Sequence, residues 1–504
     1  MNKQKKFDAD VVVIGAGITG ASIARELSKY NVATILVEKG GELCAGATKV
    51  TLGNIYSGIN YVGSMILKSV MLPPGTPLTQ LYHPEYNITK WNEQGFDEWD
   101  TVLDDLDIKH KFLPQLILAK DEEQIKEMNM TADLGKELGG KFADFKELER
   151  DEIFDLEPHV NKDVMAGLYA PDHVIEIFPP EVVIGVAENA VQNGVQVLVN
   201  AEVTGITQNG DYQIVETAQG NIETRYVVNA AGGWADRVAD MAGGRDWNLT
   251  YNKSQLIILH NRNRALLKSL VRWPMMPGKV QMVLPRDDDY ILISVGGYDP
   301  TDGGPADSGT MGDKIFSSMD IARTLVPSLS NEDIISTFAG VRVFNTRDVE
   351  NHILEFSPVN PRFFNAVVRL PGIIGALPLA RHVVSMLADG GLQLVSKSDF
   401  QPKRKAIPRV KDLSNTERDQ LIAKDAKYGR IICRCEQVTE GEIVEAIRRG
   451  AVTLDGIKFR TRAMMGRCQS NFCGPKVANI LARELGVSLN EVMQKGTNSK
   501  YLSS

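Results

Sequence analysis

For most of its length the chain has almost no cysteine: of five in 504 residues, only Cys44 precedes Cys433. A small secreted scaffold stapled by disulfides is therefore excluded. A long apolar run is missing too. The best candidate, Ile373 to Val395, is broken by Pro378, Arg381, His382 and Asp389, so no bilayer-spanning helix is expected. The opening MNKQKKFDAD is basic but lacks the apolar stretch and small-residue cleavage site of a secretory signal, and a cytoplasmic location is expected. Nor is positive charge in excess. A net charge of -8 excludes a surface built to hold a phosphate backbone, and no nucleic-acid partner is expected. The 43% hydrophobic and 24% charged content is that of an ordinary globular protein, long enough for about three domains.

What is present begins at residue 10. Asp10 to Ile14 reads as a buried parallel strand, followed at once by Gly15-Ala16-Gly17-Ile18-Thr19-Gly20 and by a helix, ASIARELSKY, with Ile23, Ala24 and Leu27 on its apolar face. Asn31 stops that helix before a second strand, Val32 to Val37, which ends on Glu38. In this setting each glycine has a task. Gly15 permits the tight turn, Gly17 lets backbone approach a pyrophosphate, and Gly20 lets helix and strand pack closely. The phosphates meet the helix amino terminus, and Glu38 can accept hydrogen bonds from a ribose. Two later segments place backbone where a large cofactor could lie. One is Tyr226 to Asp236, with Ala231 and Gly232. The other is Leu370 to Pro378, with Gly375, Ala376 and Leu377, which precedes a helix, LARHVVSMLAD, whose amino terminus could stabilise negative charge on a reduced flavin.

The far end gathers the remaining cysteines as Cys433-x-Cys435 and Cys468-x4-Cys473. A bridge between Cys433 and Cys435 would be strained, because side chains two apart do not reach disulfide geometry easily. Grouped cysteines in a reducing compartment more often hold a metal, and four thiolates suit either a tetrahedral zinc or an iron-sulfur cluster. Thr439 is expected to cap a helix from Glu440 to Arg449, with Glu442 completing a capping box. Arg460, Arg462 and Arg467 surround the second pair, either stabilising a reduced cluster or standing as solvated surface charge. Cys44 is expected to be a half-buried structural residue.

The GAGITG loop with Glu38-Lys39, VVNAAGGWAD, Phe338-Ala339-Gly340-Val341-Arg342 and LPGIIGALPLA resemble, in that order, the FAD-dependent glycerol-3-phosphate dehydrogenase and amino-acid oxidase superfamily. The one-residue and four-residue cysteine gaps resemble the 2Fe-2S domain of bacterioferritin-associated ferredoxin, where structural zinc knuckles use gaps of two to four. QPKRKAIPRVKDLS and the ICRCEQVTEGEIVEAIRRG run are similar to the linker and tail of anaerobic glycerol-3-phosphate dehydrogenase large subunits. The resemblance implies an α/β fold in which a Rossmann-like FAD-binding domain carries an inserted, mostly antiparallel substrate domain, followed by a small helical 2Fe-2S domain. The boundaries are 1–395 for the oxidoreductase part, 396–428 for a basic linker read as a solvated tether, and 429–504 for the ferredoxin-like tail. It implies FAD as cofactor, with Lys39, Thr48 and Val203 added to its binding residues, and Cys433, Cys435, Cys468 and Cys473 as cluster ligands.

The implied activity is oxidation of a small hydroxylated or amino substrate by hydride transfer to flavin, with single electrons leaving through the cluster. A small-molecule substrate, an electron-transfer subunit or quinone-linked acceptor, and a hetero-oligomer associated with a membrane through that partner are implied as well. A reductase fed by a partner, acting on an unsaturated or ether-linked compound, and a non-catalytic electron-transfer subunit are the alternatives. The substrate loops depart from the family. Tyr56, in LGNIYSG, stands where relatives carry a histidine, and a phenol is a poor base at neutral pH. The stretches MLPPGTPLTQLYHPEYN and Asp172 to Phe178 differ as well. Arg342 is a candidate for binding an anionic substrate group, with a structural role the alternative. His173, Tyr56 and His352 are the candidates for a general base, against the plainer reading of satisfied structural groups.

Overall fold

The computed structural model describes residues 7–68, 87–260, 266–275, 280–286, 289–296, 299–347, 352–369 and 372–502. An eight-stranded sheet carries the amino-terminal motif. Strand Phe7–Ile14 lies between parallel strands Thr34–Val37 and Gly220–Asn229, and Gln196–Leu198 and Phe363–Val367 extend the sheet in parallel on either side. Its central strands are apolar on both faces because both faces are covered. Val11, Val13 and Leu36 pack with helices Ile18–Leu27, Pro179–Gln192 and Ala376–Asp389, while Val12, Ile14 and Val37 pack with helix Ala235–Met241. The second strand begins at Thr34 rather than Val32. Asn31 N–H is drawn instead to Val395 O (2.8 Å), which ties the turn to the chain beyond the last helix of this layer.

The second sheet has ten strands, and every pairing is antiparallel except that of Leu270–Arg272 with His110–Ala119. It is inserted as expected: the chain enters it at Asn54–Tyr56, leaves after Ile177, and returns from Leu249 to Asn345. Strands Asn54–Tyr56 and Ile334–Asn345 are far apart in strand order, yet the sheet curls until Leu52 and Tyr56 share an apolar cluster with Phe338. Gly340 permits that closure, since a Cβ there would stand 2.0 Å from Val50 Cγ2. Asp172 to Ile177 is the end of strand Ala166–Ile177, and the altered stretch 71–87 lies outside the described residues save for Asn87.

The tail packs hairpin Ile431–Cys433/Val438–Thr439 and helices Glu440–Arg448, Leu454–Thr461 and Gly474–Leu485 around Ile443, Val444, Ile457, Val477 and Leu481. Thr439 caps the first helix in the expected box: its N–H donates to Glu442 at 2.8 Å, and its hydroxyl accepts from Glu442 N–H at 3.4 Å. The segment 396–428 is not a solvated tether. Arg404 Nε donates to Glu188 at 2.7 Å, Arg409 pairs with Glu181, Ala406 N–H reaches Asp107 at 2.9 Å, and Ile407 is buried in the tail core. Two of its basic residues, Arg404 and Arg409, thus find acidic partners on helix Pro179–Gln192, so a charge run that reads as solvent-facing serves as a docked strap. In the other direction Phe459 of the tail is buried in the core of the oxidoreductase part, a burial that stabilises the contact by about 1.5–3 kcal/mol.

Candidate active site and metal centre

The glycine loop opens on a cavity of about 380 Å³. Gly15 (φ +100°) makes the turn with no room for a side chain, since a Cβ would stand 2.6 Å from Ala230 O. Helix Ile18–Leu27 starts at this wall from Gly17, with no side-chain cap and no acidic residue in its first turn. Its first N–H groups therefore lack intrahelical partners and favour an anion. Gly17, Gly46 and Gly232 present bare backbone to the cavity: a Cβ on Gly46 or Gly232 would meet nothing within 4 Å, and one on Gly17 only Thr48 Oγ1 at 3.3 Å. An elongated ligand with a central pyrophosphate fits such a cradle. Glu38 is buried at its floor, accepting from Ala16 N–H (2.9 Å) and Gly40 N–H (2.7 Å). Burial raises its pKa, and those two N–H groups oppose the rise. Lys39 lies over the Trp234 ring at 3.2 Å, and Val203 and Ala231 complete the wall.

Eight of the twelve expected cofactor residues line this cavity: Gly15, Gly17, Glu38, Lys39, Thr48, Val203, Ala231 and Gly232. Gly20 lies behind it, where a Cβ would stand 1.9 Å from Gly15 O. Gly375, Ala376 and Leu377 do not line it. They begin helix Ala376–Asp389, against which helix Asn87–Asp105 closes, Trp99 Nε1 donating to Ile373 O (2.9 Å) and Ile374 O (3.1 Å). Trp234, from the Tyr226 to Asp236 segment, also lines the cavity, as do the loop Ala45 to Ala47, Arg237 and Met241, which the sequence did not single out; Gly46, after Gly40-Gly41, was the available signal.

Tyr56 and His173 are brought together on neighbouring strands of the curled sheet, where Tyr56 pairs with Val174. Both ring nitrogens of His173 are engaged: Nδ1 with Ser57 Oγ at 3.1 Å and Nε2 with Asp144 at 3.0 Å. Arg342 is half-buried on strand Ile334–Asn345, on the same face as Phe338 and Gly340 by strand alternation, and so on the face that meets Val50 and the Tyr56 cluster. His352 stands elsewhere, stacked on Trp91 at 5.8 Å and accepting from Arg369 N–H at 3.1 Å. Cys44 is fully buried and takes positive φ (61°); burial pushes its thiol far up, which makes it inert.

In the tail the four thiols fall into two pairs in hydrogen-bonding contact, Cys433 with Cys473 and Cys435 with Cys468. Cys433 is held down to about 6 by the Cys473 thiol and by the N–H groups of Met464 and Glu436, and Cys473 is pushed up by the same pairing. Among the described residues no three donors gather as a single ion would require. Two pairs side by side suit two irons better than one zinc. The arginine expectation is corrected in part. Arg460 and Arg462 are neither solvated nor free to face the thiols. Arg460 is buried in an ion pair with Glu42, and Arg462 pairs with Glu436 (3.2 Å) over the Phe178 ring. Only Arg467 of the three is exposed beside a cysteine.

Both halves have known counterparts. Residues 10–386 match the FAD dependent oxidoreductase family, and residues 431–483 match the BFD-like 2Fe-2S binding domain. The chain belongs to the FAD-dependent oxidoreductase family, and its cofactors are FAD and a 2Fe-2S cluster. It is 33% identical over 498 residues to a glycerol 3-phosphate dehydrogenase of Caloramator mitchellensis, covering 98% of each chain. To the anaerobic glycerol-3-phosphate dehydrogenase subunit A1 of Haloferax volcanii it is 24% identical, over 95% of this chain and 83% of that one. Among solved structures it is similar to the dithionite-reduced L-α-glycerophosphate oxidase of Mycoplasma pneumoniae with FAD bound (TM-score 0.68, 26% identity, 79% of this chain and 98% of that chain). The chain is thus an FAD-dependent oxidoreductase of glycerol-3-phosphate dehydrogenase type with a 2Fe-2S domain. No helix among the described residues is long and apolar enough to cross a membrane.

Proposed function

We propose that the chain is a dehydrogenase that oxidises a small hydroxylated substrate of the glycerol 3-phosphate class and releases the electrons singly to a partner subunit. The observation that carries this reading is the docking of the cysteine-bearing tail directly on the loop that lines the nucleotide cavity. The hydroxylated class is favoured over the amino class by the activity of the 33%-identical relative. A partner is suggested by relatives that are subunits, and association with a membrane would run through that partner.

Gly15, Gly17 and the start of helix Ile18–Leu27 would hold the FAD pyrophosphate, Glu38 a ribose, and Gly375 to Leu377 the flavin end. The four tail cysteines would hold the cluster. Bound FAD accepts two electrons as hydride, and the cluster accepts them one at a time. Arg342 would pair with the anionic group of the substrate, and Tyr56 would donate a hydrogen bond rather than take a proton. His173 would position the site: by holding Ser57 it fixes the backbone beside Tyr56.

Anaerobic mixing with glycerol 3-phosphate, other alcohols and amines tests the reading through bleaching of the flavin band. A flavin that no alcohol or amine reduces would overturn it, and one reduced only by a partner protein would establish the electron-transfer-subunit alternative. Two further results are expected. Protein purified anaerobically should carry about two irons and two acid-labile sulfides, and Cys435→Ser should remove both while FAD remains, because Cys435 lies on the exposed rim. Glu38→Ala should weaken FAD binding by roughly ten- to a hundredfold in equilibrium dialysis, since it removes the charged acceptor proposed for the ribose hydroxyls, worth about 1.5–3 kcal/mol.

A further inference from the structure

The two thiol pairs are unequally placed. Cys433 and Cys473 are each 1% exposed, whereas Cys435 is exposed and Cys468 half-buried, so one side of the cluster faces solvent. Three features of the tail's exposed surface accompany it. Phe472, between Cys468 and Cys473, is 77% exposed, more than any other large apolar side chain described, and Ile431 on the adjoining hairpin is 56% exposed. Each solvent-side cysteine is immediately preceded by an exposed arginine, Arg434 before Cys435 and Arg467 before Cys468, and neither has an acidic partner among the described residues. A cleft of about 550 Å³ opens beside Cys435, lined by the cations Arg434, Arg467, Lys109 and Lys411 and by the carboxylates Asp289, Asp412 and Glu436. Lys109 pairs with Asp412 (3.3 Å) and Lys411 lies 4.0 Å from Glu436, so the two arginines stand outside these pairs, and the four cations of the cleft outnumber its three carboxylates by one.

We propose that this rim is the docking surface for a one-electron carrier protein with an acidic face, with Phe472 as apolar anchor and Arg434 and Arg467 as the steering charges. The inference rests on the proposed outward flow of electrons and names the partner's chemistry. A chain of net charge -8 repels an acidic protein over most of its surface, so two exposed arginines beside the solvent-side cysteines select where such a carrier can approach. An exposed aromatic close in the chain to an exposed arginine has the make-up of an interface centre. Each encounter moves one electron from the reduced cluster to the carrier, with no bond made or broken. Two encounters match the two electrons lost by the substrate, whose two protons go to solvent.

The test uses the intact holoprotein and two probe carriers, a bacterial flavodoxin, which is acidic, and a mitochondrial cytochrome c, which is basic. Binding of oxidised flavodoxin, followed calorimetrically, should weaken steeply as salt rises from 20 to 300 mM, in steps of roughly tenfold. Arg434→Glu/Arg467→Glu should weaken it at least tenfold at low salt and shift preference toward cytochrome c, with an unchanged visible spectrum of the cluster. Phe472→Ser, which alters no charge, should weaken binding at all salt concentrations alike. Binding indifferent to salt, or equal service of both carriers by the native protein, would overturn the docking surface. If reduced flavin passes electrons to flavodoxin equally well after Cys435→Ser, the outward route through the cluster has failed instead.

Discussion

Gly17→Val is expected to yield a folded protein of near-native stability that retains no FAD, while Gly20→Ala loses the cofactor and is destabilised as well. The two positions look equivalent in the motif, and their surroundings separate them. At Gly20 the added Cβ would stand 1.9 Å from Gly15 O, a main-chain atom fixed by the turn and by the Gly15 N–H bond to Val37 O at 2.8 Å. Only movement of the helix off the sheet relieves that clash, and overpacking of this kind costs about 1–3 kcal/mol or more. At Gly17 the backbone is extended (φ -78°, ψ -175°), which any residue adopts, and the nearest neighbour of a Cβ is the Thr48 hydroxyl at 3.3 Å. A side chain there meets the cavity rather than the protein, so its cost falls on the ligand. Thermal unfolding without cofactor should therefore separate the variants by several degrees, with Gly17→Val near the native value, and gel filtration should strip FAD from both. A Gly17→Val protein that keeps stoichiometric FAD would remove the pyrophosphate from this loop.

The difference between these glycines also shows what the sequence could disclose. The strand, turn and helix around Gly15 to Gly20 were legible because the spacing is local and each apolar position repeats within a few residues. The cysteine set was legible for the same reason, since two short gaps carry the information. The strap at 396–428 was not. Its lysines and arginines resemble a solvated run until Glu181 and Glu188, more than two hundred residues earlier, are placed opposite them. Arg460 was misread likewise, because its partner Glu42 lies 418 positions away and nothing in RTRAMMGRC points to it. His173 could be picked out as a histidine, but only the folded strands show that Ser57 and Asp144 occupy both its nitrogens.

The second large effect concerns that Arg460 contact, and it joins the two halves of the molecule energetically. Glu42 is 2% exposed and follows directly on the Glu38–Gly41 turn, while the Arg460 side chain is 3% exposed, so the pair is held away from water. The fit around it is close. A Cβ at Gly41 would stand 2.6 Å from Gly496 Cα, and one at Gly456 would stand 2.3 Å from Glu42 Oε2. Glu188 lies 3.8 Å from Arg460 and is bound in turn by Arg404 (2.7 Å) and Arg449 (3.3 Å), so strap, tail and helix Pro179–Gln192 share one charge network. Arg460→Met leaves Glu42 buried without its counter-ion, a loss of about 3–5 kcal/mol. The loop that carries Glu42 continues into Ala45 to Thr48 along the nucleotide cavity, so the tail should loosen and FAD affinity should fall by at least tenfold together. Adding Glu42→Gln to Arg460→Met removes both charges while a carbonyl can still accept from Leu43 N–H, now 2.7 Å from Glu42. The double variant should recover most of the stability in urea unfolding and most of the FAD affinity, because a buried pair replaced as a pair costs far less than one broken. A single variant that unfastens the tail without altering FAD affinity would show that the loop holds its cofactor conformation unaided, and the cluster domain would then be a passenger on the flavin site rather than one of its walls.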